Sequence, residues 1–192
     1  MWFITANSGQ KRPQPKAGSH EAMLVQVIDL WTQPWSTLYP EPKRKIELMF
    51  EILDENWDFN GEQKPFVVRQ YATPYVSNDK AKITNYHKLI NQLFGSMTHD
   101  EARAVDFEKI LWQVYMIQLV DNNWFTNIDS LTKWTTKMQS EYENYTSFNE
   151  KIFFTLENFS DITFNSFSDK KKEKIQSSPE YKNLFKTDSD GD

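Results

Sequence analysis

Arg69, Tyr71, Thr73 and Tyr75 recur at every second position in the run Arg69-Gln-Tyr-Ala-Thr-Pro-Tyr-Val-Ser-Asn-Asp-Lys80. Alternate residues of an extended chain share one face, so these side chains are expected to project together from the end of a strand. A guanidinium beside phenol rings suits an unpaired nucleic-acid strand. The rings stack on bases, at about 1–3 kcal/mol per base, and the cations follow the phosphates. Lys45 and Lys64 are further candidate phosphate contacts, and Trp57, in Asp54–Pro65, which reads as a polar turn or loop, is a further candidate stacking ring. The competing expectation is structural: Tyr71 packs against the C-terminal segment and Arg69 pairs with Glu47 or Glu51.

Other chemistries lack their residues. With no cysteine there is no disulfide, thiolate metal site or cysteine nucleophile. His20, His87 and His99 are scattered, with no metal-ligand spacing. Five glycines form no phosphate-cradling fingerprint. Asp54/Glu55 and Asp100/Glu101 fall where turns or helix starts account for them. No nucleophile, base and oxyanion donor assemble, so the expectation is a protein without catalysis, cofactor or metal.

The chain of 192 residues is 39% hydrophobic and 15% aromatic, enough for a core, and its formal charge is −5. A negative sum disfavours general attraction to phosphates. The bases are nonetheless grouped, at Lys11–Lys16, Lys43-Arg-Lys45 and Lys170-Lys-Lys172, which leaves room for a locally basic groove. The N-terminus lacks the pattern of a signal peptide, and no apolar window approaches the roughly 18–20 residues a membrane helix needs.

Strands are expected at His20–Trp31, Lys45–Leu53, Phe66–Val76, Trp112–Val120 and Trp124–Trp134. Ile46, Leu48, Phe50 and Ile52 alternate with Lys45, Glu47 and Glu51. Ser77-Asn-Asp79 is expected to cap a helix carrying Ile83, Tyr86, Ile90, Leu93 and Phe94, which Gly95 stops. Thr98-His-Asp-Glu101 fits a capping box. Strand-strand-strand-helix-strand-strand is the order of a five-stranded OB-like Greek-key barrel, so the expected class is mainly β with helices (α+β), with a helix between strands three and four. Residues 1–18 read as an extended arm, 19–136 as the barrel, 137–185 as a C-terminal docking appendage and 186–192 as an acidic tail. Trp124 and Trp134 are expected in core or interface packing, and Asp169–Ile175 as a basic helix capped by Ser168.

Several landmarks occur in a fixed order. Lys16-Ala-Gly-Ser-His-Glu-Ala22 leads into Val27-Ile-Asp-Leu-Trp-Thr-Gln33, and Phe50-Glu-Ile52 precedes Lys64-Pro-Phe66. Arg69-x-Tyr71-x-Thr73 is followed by Asn78-Asp-Lys80 and Lys88-Leu-Ile90, then by Phe167–Lys174 and Ile175-Gln-Ser-Ser-Pro-Glu-Tyr181. Over residues 16–185 this set resembles a family of small bacteriophage proteins with an OB-like core that bind single-stranded DNA in replication and recombination. The resemblance implies a non-catalytic phage protein of the host cytoplasm, with Arg69, Tyr71 and Thr73 matching the family's Arg-x-Tyr-Thr strand. Its implied partners are single-stranded DNA and phage or host replication and recombination proteins; apart from the resemblance, edge strands and the aromatic C-terminal segment lead to an expectation of self-association. The chain departs from the family in carrying Trp31 where a glycine is usual after the Asp-Leu pair. A second expectation, of another class, is an acidic interaction module that binds or inhibits a host or phage protein, as a DNA mimic.

Overall fold

The computed structural model describes residues 13–34, 41–122, 125–133 and 135–185. Residues 1–12 of the expected arm, 35–40 of the Pro-rich stretch, Trp124, Trp134 and the acidic tail 186–192 lie outside them. The strands are β1 (Gly18–Pro34), β2 (Pro42–Phe59), β3 (Glu62–Ala72), β4 (Val114–Asn122), β5 (Phe125–Lys133) and β6 (Ile152–Phe154). The helices are α1 (Asn85–Phe94), α2 (His99–Arg103), α3 (Thr136–Gln139), α4 (Asp161–Ser166), α5 (Asp169–Ser177) and α6 (Pro179–Leu184).

The molecule is mainly antiparallel sheet with a few helices. The sheet runs β3-β2-β1-β4-β5, and β6 adds parallel to β1. A closed barrel is not what the ladders form. β3 and β5 end the hydrogen-bonded path, no ladder joins them among the described residues, and the sheet is open. Pro65 lies within β3 and Pro74 just beyond it. Proline has no N–H to give a further partner strand and is tolerated in sheets mainly at edges, which fits β3 as an edge.

The alternation in β2 divides the sheet's two faces. Ile46, Leu48, Phe50 and Ile52 enter one core with Phe66 and Val68 of β3, with Tyr86, Ile90 and Leu93 of α1, and with Tyr115 and Ile117 of β4. The opposite face carries a smaller cluster of Met23, Val25, Met49 and Val114, covered by Tyr142 and Tyr145. Beside it, Ile28, Leu30 and Trp31 pack against Phe154, Phe164, Phe167 and Ile175. The C-terminal third therefore lies on the outer face of β1 and β2.

Three local expectations change. The polar stretch Asp54–Pro65 is strand rather than loop: β2 runs to Phe59 and β3 starts at Glu62. Between them Asn60 and Gly61 have φ of 56° and 87°, the two positive values of a two-residue hairpin turn. The helix begins at Asn85 under Thr84, whose hydroxyl accepts from the His87 N–H at 3.1 Å. Ser77 and Asp79 instead hold a loop turn through the Asp79 and Ala81 amides, and Ile83 is exposed. Trp31 has φ of 60° at a bulge in β1, a backbone region that suits glycine. The Asp29 carboxylate fixes that bulge by accepting from the Trp31 N–H at 2.9 Å while pairing with Arg44. The buried Trp31 ring stacks on Phe154.

Candidate nucleic-acid interface

Arg69, Tyr71 and Thr73 follow the outer-face alternation of β3, and each meets a different environment. Arg69 Nε stands 3.5 Å from Glu47 Oε1 across the β2–β3 ladder, which is the competing pairing expected for it. The same carboxylate takes Lys171 Nζ of α5 at 2.6 Å, and Glu47 is only 3% exposed. The Tyr71 ring remains 47% exposed. Its phenol is pushed up to about 12, by burial first and then by the Glu47 carboxylate, to which it hydrogen-bonds. Tyr71 is thus held by its hydroxyl while its ring forms a wall. Lys174 Nζ lies 5.9 Å from the ring centroid, within cation–π range. The Thr73 hydroxyl is buried without a hydrogen-bond partner and is not presented to solvent.

Two depressions meet at Tyr71 and Ala72. The larger, about 980 Å³, lies between the end of β3 and α5 and is lined by Lys45, Lys170 and Lys174. The smaller, about 360 Å³, lies between β3 and the start of α1, with Lys43 and Tyr75 on its walls. Tyr75 is 60% exposed, and its carbonyl accepts from the Thr84 hydroxyl at 2.6 Å, which ties its segment to the α1 cap. Side by side, their linings carry the exposed Tyr71 and Tyr75 rings, the buried Tyr86 and four lysines. The Lys45 ammonium pKa is lowered, by burial first and then by repulsion from Lys174.

Trp57 and Lys64 line neither depression. They face each other near the far turn of the hairpin, and Glu47 faces Tyr71, roughly 23 Å away along β3 at about 3.3 Å per residue. Trp57 stacks on Phe66 at 6.3 Å and meets Phe59 edge-on at 5.2 Å, packed against the core. Lys64 pairs with Glu62 at 2.9 Å and caps the Phe59 ring at 4.7 Å.

Lys170 and Lys174 are the site residues that the strand-centred reading omitted. Their signal lies in the helix period. Lys170, Glu173, Lys174 and Ser177 follow an i, i+3, i+4, i+7 stripe and face the depression, whereas Lys171 and Ile175 turn to the sheet. The histidines are less scattered than expected. His87 and His99 meet edge to face at 4.6 Å, their Nε2 atoms against the carbonyls of Met97 and Lys82. Among the described residues no group of three His, Cys, Asp or Glu is placed to hold a metal. No family model matches the chain, and no curated protein or solved structure matches it either.

Proposed function

We propose that the chain is a non-catalytic single-stranded-DNA-binding protein of bacteriophage type, whose strand lies along the groove from Tyr75 past Tyr71 to α5. The observation that carries this reading is that two adjoining depressions share Tyr71 and Ala72 and are lined by exposed phenols and lysines. Bases stack on Tyr71 and Tyr75, and phosphates meet Lys43, Lys45, Lys170 and Lys174. Arg69 pairs with Glu47 beneath Tyr71. The groove gathers positive charge on a chain of net charge −5, so contact is confined to this strip. The fold in this proposal is an OB-like barrel opened at the β3/β5 seam, since β3-β2-β1-β4-β5 is the strand order of such a barrel.

The test is fluorescence anisotropy of an internally labelled oligo-dT at several salt concentrations. With three or four phosphates neutralised, log K falls against log salt with a slope of about −2 to −3. Binding that is absent, or indifferent to salt, overturns the proposal. A protein partner captured from host lysate after nuclease treatment, with oligonucleotides failing to bind, favours the acidic interaction module instead.

A further inference from the structure

We infer that a pocket behind the Thr73–Tyr75 segment takes one carbonyl-bearing base turned out of the bound strand, with thymine as its simplest form. This rests on the single-strand reading and adds base selection to it.

The pocket holds about 450 Å³, within the size range of small-ligand sites. Val27 and Asp29 of β1 and Arg44 and Ile46 of β2 occupy alternate positions, so they line it from the core face of the sheet. Phe153 of β6 and Phe107 give it flat apolar walls, and Phe107 is fixed edge-on to Phe94 at 5.8 Å. Solvent reaches it at the half-exposed side chains of Arg44 and Asp106.

Its charges are already matched. Arg44 Nε and Nη2 both donate to Asp29 Oδ2, and the other Asp29 oxygen takes the Trp31 N–H. Arg103 pairs with Asp100, and Asp106 with Lys109. The lining therefore holds no uncompensated charge for a phosphate. What it offers is hydrogen bonds. Tyr86 is 7% exposed, and its hydroxyl has no partner among the described residues. Burial pushes its phenol up to about 12 while the Arg44 guanidinium acts the other way, which sets the hydroxyl toward Arg44. Arg44 Nη1 is the second group, since neither bond to Asp29 uses it. A guanidinium N–H donates, and a phenol donates or accepts. A ring carbonyl beside a ring N–H, as thymine carries, satisfies both, whereas adenine has no carbonyl. A buried hydroxyl without a partner is costly, and such a base supplies the missing bond.

The strand has a route to it. Thr73 and Tyr75 line the smaller depression, Pro74 between them lines this pocket, and Tyr86 lines both. The two spaces lie on the two sides of one short segment, so a base leaving Tyr75 reaches the pocket across Pro74. Turning a base out costs least in a strand that is already single.

The experiment uses the full chain and a short, end-labelled oligo-dA whose central residue is adenine, thymine or abasic. The single thymine should raise affinity about tenfold over adenine. The abasic residue should give no such gain, although it relieves the adenine stack equally. In Tyr86→Phe the gain should fall to about threefold with the melting temperature unchanged, because no protein partner is lost. Val105→Trp, which fills the pocket, should abolish the gain and leave binding of all-adenine strand as it was; thermal melting confirms that it folds. Free thymidine should compete far less well than the single-thymine strand; equal competition would make this a pocket for free nucleosides and overturn the inference. Equal affinity for the three strands, or a thymine gain that both variants keep, also overturns it and leaves the single-strand reading standing. Binding to none of the strands overturns both.

Discussion

Glu47 and Glu51 lie four residues apart on one face of β2, both beneath the C-terminal third, and they are satisfied by opposite chemistries. Glu51 is 0% exposed and accepts from the Tyr145 hydroxyl (2.8 Å), the Phe148 and Asn149 amides (3.0 and 2.7 Å) and the Asn149 side chain (2.6 Å). These donors are neutral, and two belong to the backbone, so they define one position for residues 145–149 on the sheet. Glu47 is met by two cations, Lys171 and Arg69, and by the Tyr71 phenol. Cations can exchange one anion for another, whereas a clasp of amides cannot be exchanged without opening the chain. The Glu51 end is therefore a closed structural joint, and the Glu47 end is the place where an anionic ligand can compete.

The largest effect is expected at the joint. Glu51→Leu leaves four donors without their acceptor, around a side chain that is 0% exposed. Since each stranded donor costs about 1–3 kcal/mol, and partial undocking lets water in, we expect a loss of about 3 kcal/mol or more. The measurement is a urea midpoint at constant slope, with faster hydrogen exchange at the Phe148 and Asn149 amides. A loss below about 1 kcal/mol would show that the clasp is not what holds this segment.

Next come the two ends of the β2–β3 hairpin. Trp57→Ala opens the packing on Phe66 and should cost about 2–3 kcal/mol of stability without changing oligonucleotide affinity. Tyr71→Ala should reverse that pattern, with little loss of stability and about 1–3 kcal/mol of binding removed, while Tyr71→Phe binds nearly as the parent does. If Trp57→Ala weakens oligo-dT binding as much as Tyr71→Ala does, the groove has been drawn at the wrong end.

What could be read in advance follows the range of the interactions. Thr98 and Glu101 form their capping box, and Gly95 ends α1 with φ of 100°, because both signals act within one helical turn. The alternation of Lys45–Leu53 sorts β2 correctly because one face is buried against α1. Asn60-Gly61 was equally local, but the density of acids around it masked a hairpin signature as a polar loop. Ser77 and Asp79 cap well in general, and here they are used by a turn before the helix begins. The Glu51 clasp joins residues 94 to 98 positions apart, and no pattern in β2 marks it. The Arg69–Glu47 pair follows from ladder register, so it was available as one alternative, but its sharing with Lys171 was not.

Glu47→Gln tests the exchange directly. Removing that carboxylate releases Arg69 and Lys171 beside the groove, so oligo-dT binding should tighten about threefold and the salt slope should steepen by about one. A lower affinity would mean that pinning Tyr71 matters more than the added positive charge.

The smallest effect is a titration that reads both carboxylates at once. Burial and Glu47 raise the Tyr71 phenol from 10.0 to about 12, and burial and the Glu51 hydrogen bond raise that of Tyr145 above its ordinary value. Each folded phenol keeps its proton to a higher pH than the unfolded one. Its contribution to stability is therefore whole below pH about 10 and is lost as pH climbs, for Tyr71 through about 12. Glu47→Gln should bring down Tyr71 alone, because its phenol loses the nearby anion but keeps its burial. Glu51→Leu should bring down Tyr145 without moving Tyr71. Phenolate absorbance, assigned with Tyr71→Phe and Tyr145→Phe, separates the two shifts. If either carboxylate variant moves both phenols, the two sites behave as one unit and the contrast between joint and groove is lost.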